Sequence, residues 1–271
     1  VVMASATPSL EAYARAYKGN YELVSLNQRV NQKMPDIHLI DMRKEKSMNG
    51  LSSTLIQKIE QCLSRKEQVI LLLNRRGYLP VVKCSTCNEV MTCPDCGIAL
   101  TYHKDSQSLI CHCCGRSFYF KSECPKCHGH QFYQLGMGTE KLEEEIKIKY
   151  PEAKVLRMDA DTTTRKGSHE KYIQMIENGE VNIIVGTQMI SKGLDFPNVT
   201  VVGVINADES LNIPDFRSGE YTYSLLSQVS GRAGRKNGDG KVILQTFNKD
   251  NETLNLVKQN NYKGLYTYEM N

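Results

Sequence analysis

Eight of the ten cysteines stand in four Cys-x-x-Cys pairs: Cys84/Cys87, Cys93/Cys96, Cys111/Cys114 and Cys124/Cys127. Two thiolates separated by two residues converge on one point. Two such pairs close a tetrahedral Zn²⁺ site, so four pairs provide for two structural zinc ions. Iron–sulfur ligation is the competing chemistry, and this spacing follows none of its usual patterns. The pairing itself has alternatives. Joining the first and second pairs leaves a five-residue loop, whereas joining the second and third leaves fourteen, close to a zinc-ribbon span. Loop length therefore favours a nested arrangement, with Cys93, Cys96, Cys111 and Cys114 inside and Cys84, Cys87, Cys124 and Cys127 outside. His112 and Cys113 lie between ligands and break the repeated spacing. His103, His128 and His130 are expected to be solvated or to support ligands. Tyr102, Lys104, Arg116, Phe118, Tyr119, Phe120, Lys121 and Lys126 interleave aromatics with cations. That pattern suits nucleic-acid contact, and equally the filling of a small core around the metals.

A second chemistry is written in Gln228-Val229-Ser230-Gly231-Arg232-Ala233-Gly234-Arg235. Two arginines three apart, freed by glycines at a helix end, suit a phosphate chain and the charge that develops in phosphoryl transfer. A third stretch, Val185-Gly186-Thr187-Gln188-Met189-Ile190-Ser191-Lys192-Gly193-Leu194-Asp195-Phe196, leaves a buried strand for a polar loop. Such a loop can hold a nucleic-acid phosphate at one end and a nucleotide at the other. Ser5-Ala6-Thr7 alone is only a turn.

These groups need a scaffold, and the hydrophobic pattern supplies one. Val1 to Met3 reads as the end of a buried strand, and Ser9 caps a helix through Tyr17. Residues 20–45 read as a connection with one strand, Ile37 to Ile40. Ser52 or Ser53 caps an amphipathic helix whose apolar face carries Leu55, Ile59, Cys62 and Leu63, making Cys62 a core residue. Val69 to Leu73 is an unbroken apolar run, as in a buried parallel strand. Beyond the cysteines, strands are expected at 132–135, 154–158, 181–185, 199–205 and 241–246, with helices at 139–150, 167–178 and 219–230. The alternation implies an α/β fold with a parallel sheet covered on both faces.

The chain has 271 residues, of which 40% are hydrophobic and 24% charged, as expected of a soluble globular protein. It contains no run of eighteen apolar residues and no basic leader pattern, so metal-bound rather than disulfide-bonded cysteines in the cytoplasm are expected, with no membrane partner. Eight thiolates and two Zn²⁺ would bring the formal charge of +4 to zero, so global basicity makes no case for nucleic acid. The first residue is not methionine, and a piece of a longer protein is expected.

Taken in order, Ser5-Ala6-Thr7, Gly186 to Phe196 and Gln228 to Arg235 resemble motifs III, V and VI of superfamily 2 helicases. The cysteine module following Leu73-Asn74-Arg75-Arg76-Gly77-Tyr78 narrows the match to the bacterial primosomal replication-restart DNA helicases. Gly136-Met137-Gly138-Thr139-Glu140, Met158-Asp159-Ala160-Asp161-Thr162, and Ala207-Asp208 followed by Asp215-Phe216-Arg217 agree with it. The resemblance implies a RecA-like second motor lobe interrupted by a small two-zinc, ribbon-like insertion with the nested pairing. Residues 1–19 would end the first lobe, 20–50 would be a linker, and 51–83 and 131–248 would form the second lobe. The insertion would occupy 84–130, and 249–271 would begin a C-terminal region. The implied activity is ATP-dependent 3′-to-5′ DNA unwinding at abandoned replication forks, with primosome assembly for replication restart. ATP with Mg²⁺ would serve the whole protein. Forked and single-stranded DNA, primosome proteins and single-stranded DNA-binding protein would be its partners. By the same resemblance Arg232 and Arg235 face the ATP phosphates with Gln228 in support. Gly193 and Asp195 lie by the nucleotide, and Arg75, Thr139, Thr187 and Lys192 along the DNA.

No G-x-x-x-x-G-K-[ST] occurs, so the phosphate-cradling loop is missing. Asp208-Glu209 after an apolar strand imitates a metal-binding acidic pair, but without that loop it has no counterpart. The chain alone is therefore expected to lack ATPase activity. A zinc-scaffolded binding module on an inactive α/β domain is the competing class. A zinc hydrolase is excluded because four-cysteine sites leave no position for water.

Overall fold

The computed structural model describes residues 2–26, 34–74, 81–103, 107–111, 113–135, 139–159, 162–163, 168–191, 196–213, 215–235 and 238–270. In chain order, helix α1 (Leu10–Tyr17) precedes strand β1 (Asp36–Asp41), the hairpin β2 (Ser47–Met48) and β3 (Leu51–Ser52), helix α2 (Ser53–Ser64) and strand β4 (Gln68–Leu73). The module strands follow: β5 (Val81–Cys84), β6 (Thr101–His103), β7 (Ser108–Ile110), β8 (Ser117–Tyr119) and β9 (Phe132–Leu135). Then come α3 (Thr139–Lys149), β10 (Val155–Met158), α4 (Ser168–Glu177), β11 (Ile183–Gly186), a 3-10 turn at Gln188–Ser191 and β12 (Val199–Ile205). A second 3-10 turn (Glu209–Asn212), α5 (Ser218–Ser230), β13 (Lys241–Thr246), α6 (Glu252–Lys258) and α7 (Tyr262–Met270) complete the order.

Six strands form one sheet in the order β1-β13-β12-β4-β11-β10, and every pairing is parallel. β4 is central, and all six of its residues are buried, because a strand between two parallel neighbours with helices on both faces has no wet side. The period-two alternation sorts the side chains. Ile70, Leu72, Ile184, Val202, Val204, Val242 and Leu244 point to the face covered by α4, α5, α6 and α7. Val69, Leu71, Ile183, Val185, Val201 and Ile243 point to the face covered by α2 and α3. Ser52 caps α2, its hydroxyl accepting the Leu55 N–H at 3.1 Å. Leu55 and Ile59 are then fully buried, and truncating either to alanine costs about 2–5 kcal/mol.

Two sequence expectations need correction, at Val2-Met3 and at β9. Val2 and Met3 are exposed and lie in no strand, since no neighbour is there to pair with them. β9 exists, but it pairs antiparallel with β5 from Val81↔Leu135 to Cys84↔Phe132 and does not enter the parallel sheet. The strand expected at Ile37 to Ile40 is present as β1: six residues register with β13, and Ile37 and Leu39 join the core. Residues 249–271 likewise contribute Leu254, Leu256, Val257 and Leu265 to that same core.

The module is a five-stranded antiparallel sheet, β8-β7-β6-β5-β9. Its core is small: Val82, Leu100 and Leu109 with Cys93 and Cys111, flanked by Tyr102, Phe118, Phe120 and Phe132. Phe120 stacks edge-on against Phe132 and Tyr102 at 5.0 and 5.4 Å between centroids. These aromatics fill the core, whereas Tyr119 is exposed.

Candidate functional site

The cysteine pairs build one turn four times. The residue after each pair takes left-handed backbone: Asn88 (φ 62°), Gly97 (68°), Gly115 (73°) and His128 (57°). Its N–H returns to the carbonyl of the first cysteine, at 3.0 Å for Asn88 to Cys84, 2.8 Å for Gly97 to Cys93, 2.8 Å for Gly115 to Cys111 and 3.0 Å for His128 to Cys124. The first cysteine's own N–H donates five residues ahead, to Glu89, Ile98, Arg116 and Gly129, at 2.7–2.9 Å. Glycine accepts the left-handed region freely, and Asn and His are among the side chains that tolerate it best. His128 is thus placed by its backbone. Its imidazole is exposed, with Nδ1 2.7 Å from the Glu123 carboxylate, and it is no member of the sulfur clusters. Cys113 is exposed and also outside them. His112 lies outside the described residues.

The four turns meet as two quartets, Cys84/Cys87/Cys124/Cys127 and Cys93/Cys96/Cys111/Cys114, with all sulfurs of a quartet within 4.8 Å of one another. Closest approaches are 3.5 Å for Cys84–Cys127, 3.5 Å for Cys87–Cys124 and 3.8 Å for Cys93–Cys114. Four thiolates about 2.3 Å from a tetrahedral Zn²⁺ lie about 3.8 Å apart, so the donor set and its spacing fit the ion. The first cysteine of every pair, Cys84, Cys93, Cys111 and Cys124, is buried. Backbone N–H groups of Cys87 and Thr86 aimed at Cys84 bring its pKa down to about 6, and those of Cys114 and Cys113 bring Cys111 down to about 7. One thiol in each quartet thus favours the thiolate, while neighbouring sulfurs push Cys87 and Cys127 in one quartet and Cys96 and Cys114 in the other upward, so four thiolates at one point need a cation to hold them. Bound zinc would cross-link the chain and leave no open coordination position. Cys62 behaves oppositely: burial pushes its thiol up to about 11, and it packs among core residues beside the Thr200 hydroxyl at 3.2 Å.

One contact between module and sheet had no sequence expectation. Lys83, next to the ligand Cys84, is only 6% exposed. Its ammonium lies 4.4 Å from the centroid of the Phe247 ring beyond β13. It also faces Asp208, which burial pushes above the ordinary carboxylate range while the Lys83 charge opposes that rise. Asp208 Oδ2 accepts the Phe247 N–H at 3.3 Å. Asp208 is thus engaged by module and sheet rather than placed as a metal ligand. A lysine inside the apolar run Val81-Val82-Lys83 was the available signal.

The arginine turn sits at the other edge. α5 runs back along the sheet, and the Gly234 N–H donates to the Val199 carbonyl at the start of β12 at 2.8 Å. Gly234 has φ +69°, and a Cβ there would lie 2.2 Å from the Gly240 nitrogen, so two backbones pack with no room for a side chain. Arg232 and Arg235 are half-buried on this turn, and Arg235 Nε donates to the Gly231 carbonyl at 3.1 Å. Gln228 Nε2 donates to Ser224 Oγ at 3.0 Å, and Ser224 Oγ lies 2.9 Å from Thr7 Oγ1. The weak Ser5-Ala6-Thr7 signal therefore meets the arginine helix. α1 follows it down: Leu10 N–H bonds Glu220 at 3.1 Å, Arg217 pairs with Glu11, and Tyr13 stacks on Tyr262 and Tyr266.

Thr187 follows β11, at the carboxyl edge of the strands, and Phe196 is fully buried just before β12 starts at the amino edge. Between them the described residues form the 3-10 turn Gln188–Ser191. Lys192, Gly193 and Asp195 lie outside the described residues, as does Arg75. Thr139 opens α3 at the carboxyl edge, with its hydroxyl donating to Asp159 Oδ2 at 2.5 Å. Burial opposes the Asp159 charge, but this bond, the Thr162 N–H and Arg157 hold its carboxyl below the ordinary range.

A parallel six-stranded lobe of the RecA-like helicase class, split by a zinc ribbon, is the protein these features define. Residues 123–237 match the helicase conserved C-terminal domain, and 93–117 match the PriA DNA helicase Cys-rich region domain. Along its whole length the chain is homologous to replication restart protein PriA. Identity is 49% over 275 residues to the Bacillus subtilis protein, covering 100% of this chain and 34% of that one. It is 40% over 265 residues to the Haemophilus influenzae protein, covering 97% and 36%. The chain thus spans about a third of the length of these relatives. The fold is similar to RecG in its structure bound to a three-way DNA junction, with TM-score 0.53 and 14% identity over 97% of this chain and 26% of that one. Among the described residues no helix is long and apolar enough to cross a membrane.

Proposed function

We propose that the chain is the second motor lobe, with its zinc insertion, of an ATP-dependent 3′-to-5′ DNA helicase acting in replication restart. It would work on forked and single-stranded DNA in the cytoplasm, together with primosome proteins and single-stranded DNA-binding protein. The observation that carries this is end-to-end homology to PriA at 49% identity, through both the motor sequence and the cysteine module. Arg232 and Arg235 supply positive charge to the ATP phosphates held with Mg²⁺ by a first lobe, and Gln228 joins them to Thr7. Gly193 and Asp195 flank the nucleotide. Thr139, Thr187, Arg75 and Lys192 contact the DNA strand, and of these Thr139 and Thr187 stand at the carboxyl edge, where open α/β sheets bind ligands. Because the Thr139 hydroxyl is engaged by Asp159, its contribution to a phosphate is the backbone N–H at the start of α3. The two zinc ions are structural.

The test compares ATP hydrolysis by the 271-residue chain with that of the same chain fused to the first lobe of the Bacillus subtilis relative. The fusion should show DNA-stimulated ATPase that Arg235→Ala abolishes, and the chain alone should show none. Turnover by the chain alone, lost in Arg235→Ala, would overturn the division of labour. A folded fusion without ATPase would favour a zinc-scaffolded binding module instead.

A further inference from the structure

Phe216 is the most exposed aromatic among the described residues, at 85%. Exposing a large ring forfeits hydrophobic stabilisation, and here the backbone holds it in place. Asp215 N–H bonds the Ile213 carbonyl at 2.8 Å, Asp215 Oδ1 accepts the Arg217 N–H at 2.9 Å, and the Asp215 carbonyl accepts the Ser218 N–H at 2.9 Å. The Arg217 guanidinium lies 5.2 Å from the centroid of the Phe216 ring and is itself fixed by Glu11. The ring therefore stands on a locked turn with a cation over one face, and its high exposure leaves the other face to solvent.

Its place in the fold gives it a role. The turn lies between the carboxyl end of β12 and the start of α5, and strands of a parallel sheet end together. Phe216 therefore shares an edge with Thr187 after β11 and Thr139 after the module. α5 also packs on the 3-10 turn that follows Thr187. Around Phe216 the described sequence is Asp215, Arg217, Ser218, Gly219 and Glu220, and Ile213 three residues before it is 36% exposed. One ring among polar groups is too small for the apolar centre of a stable protein interface. It does match the face of a nucleobase, which stacks on an aromatic whatever its identity.

We propose that Phe216 is a stacking platform for one unpaired base of single-stranded DNA crossing the carboxyl edge. This rests on the DNA-binding reading above. The platform carries no hydrogen-bond code, so it accepts any base and suits a strand that moves past it. Arg217 backs the ring from the face opposite the base.

The test measures binding of the 271-residue chain to a single-stranded oligonucleotide carrying 2-aminopurine, by fluorescence and by salt titration. Phe216→Ala and Phe216→Leu should weaken binding about 5- to 150-fold and reduce the change in 2-aminopurine fluorescence. Phe216→Tyr should keep both. The dependence of log Kd on log salt should not change in any of the three, because no phosphate contact is lost. Thr187→Ala is the control for the edge itself. Equal binding by Phe216→Ala and wild type, with Thr187→Ala weakened, overturns the platform and leaves the DNA edge standing. Wild-type-like binding by Phe216→Leu overturns stacking as its basis. No binding by the wild-type chain overturns both.

Discussion

Removing zinc should unfold the module and soften the lobe without unfolding it. Among the described residues the module buries Val82, Leu100 and Leu109 besides its cysteines, with Met91, Tyr102, Phe118, Phe120 and Phe132 half-buried around them, and together these side chains contribute about 8–16 kcal/mol. Each structural zinc contributes about 10–16 kcal/mol of apparent binding energy at neutral pH. Metal loss thus removes more than the whole apolar core supplies. The parallel sheet has no module strand in it, and β4 keeps both its neighbours. What the lobe loses is the Lys83 anchor at 4.4 Å from Phe247. A desolvated cation–π contact is worth about 2 kcal/mol, and Asp208 would lose its facing charge. For a lobe of this size that corresponds to a fall in Tm of about 4–8 °C. Calorimetry before and after chelation, with released metal quantified, should show the module transition vanish and the lobe transition move down. Two zinc per chain should be released. Zinc-loaded Lys83→Met should reproduce the lobe shift and keep the module transition. Zinc loss confirmed with both transitions unmoved would refute the reasoning, as would one zinc per chain or an iron–sulfur absorption band.

Three further outcomes follow from the geometry. Gly234→Ala forces a Cβ to 2.2 Å from the Gly240 nitrogen at φ +69°, so urea denaturation should show a loss of about 2 kcal/mol or more. Arg43 holds the Asp41 carboxyl at about 2 through paired guanidinium bonds of 2.8 Å. Its folded pKa lies below its unfolded value near 3.9, so the stability it gives is complete above about pH 4 and lost as pH falls toward 2. With solvent screening at half-exposed Arg43 the contribution is about 1 kcal/mol, and Asp41→Asn should flatten that part of the acid-unfolding curve. His128→Gly relieves a left-handed side chain and should raise module stability by about 0.5–1 kcal/mol with zinc stoichiometry unchanged. Loss of one zinc in that variant would make His128 a ligand after all.

The cysteine turns were legible in the sequence because they are local. A Cys-x-x-Cys followed by Asn, Gly or His closes its own bonds within five residues. The buried strands β4, β12 and β13 and the helix carrying Leu55, Ile59 and Cys62 were legible for a similar reason, since periodicity records which face is dry. The partners of those elements were not. The pattern at 132–135 is that of a strand whichever sheet it joins, and only the pairing with β5 assigns it to the module. A short apolar segment such as Val2-Met3 carries the same signal whether or not a neighbour is there to pair with it.

Sequence by itself determined the chemistry: eight thiolates in four identical turns, two arginines on a glycine-released turn, and an alternating α/β scaffold. Tertiary structure decided what that chemistry touches. It joined Cys84 and Cys87 to Cys124 and Cys127 across 36 intervening residues and set Lys83 against Phe247 and Asp208. It brought Thr7 to Ser224 and Gln228, and put Thr187 and the arginine turn at opposite edges of one sheet. Contacts between residues far apart in the chain depend on the order in which strands pair, and no local spacing encodes that order.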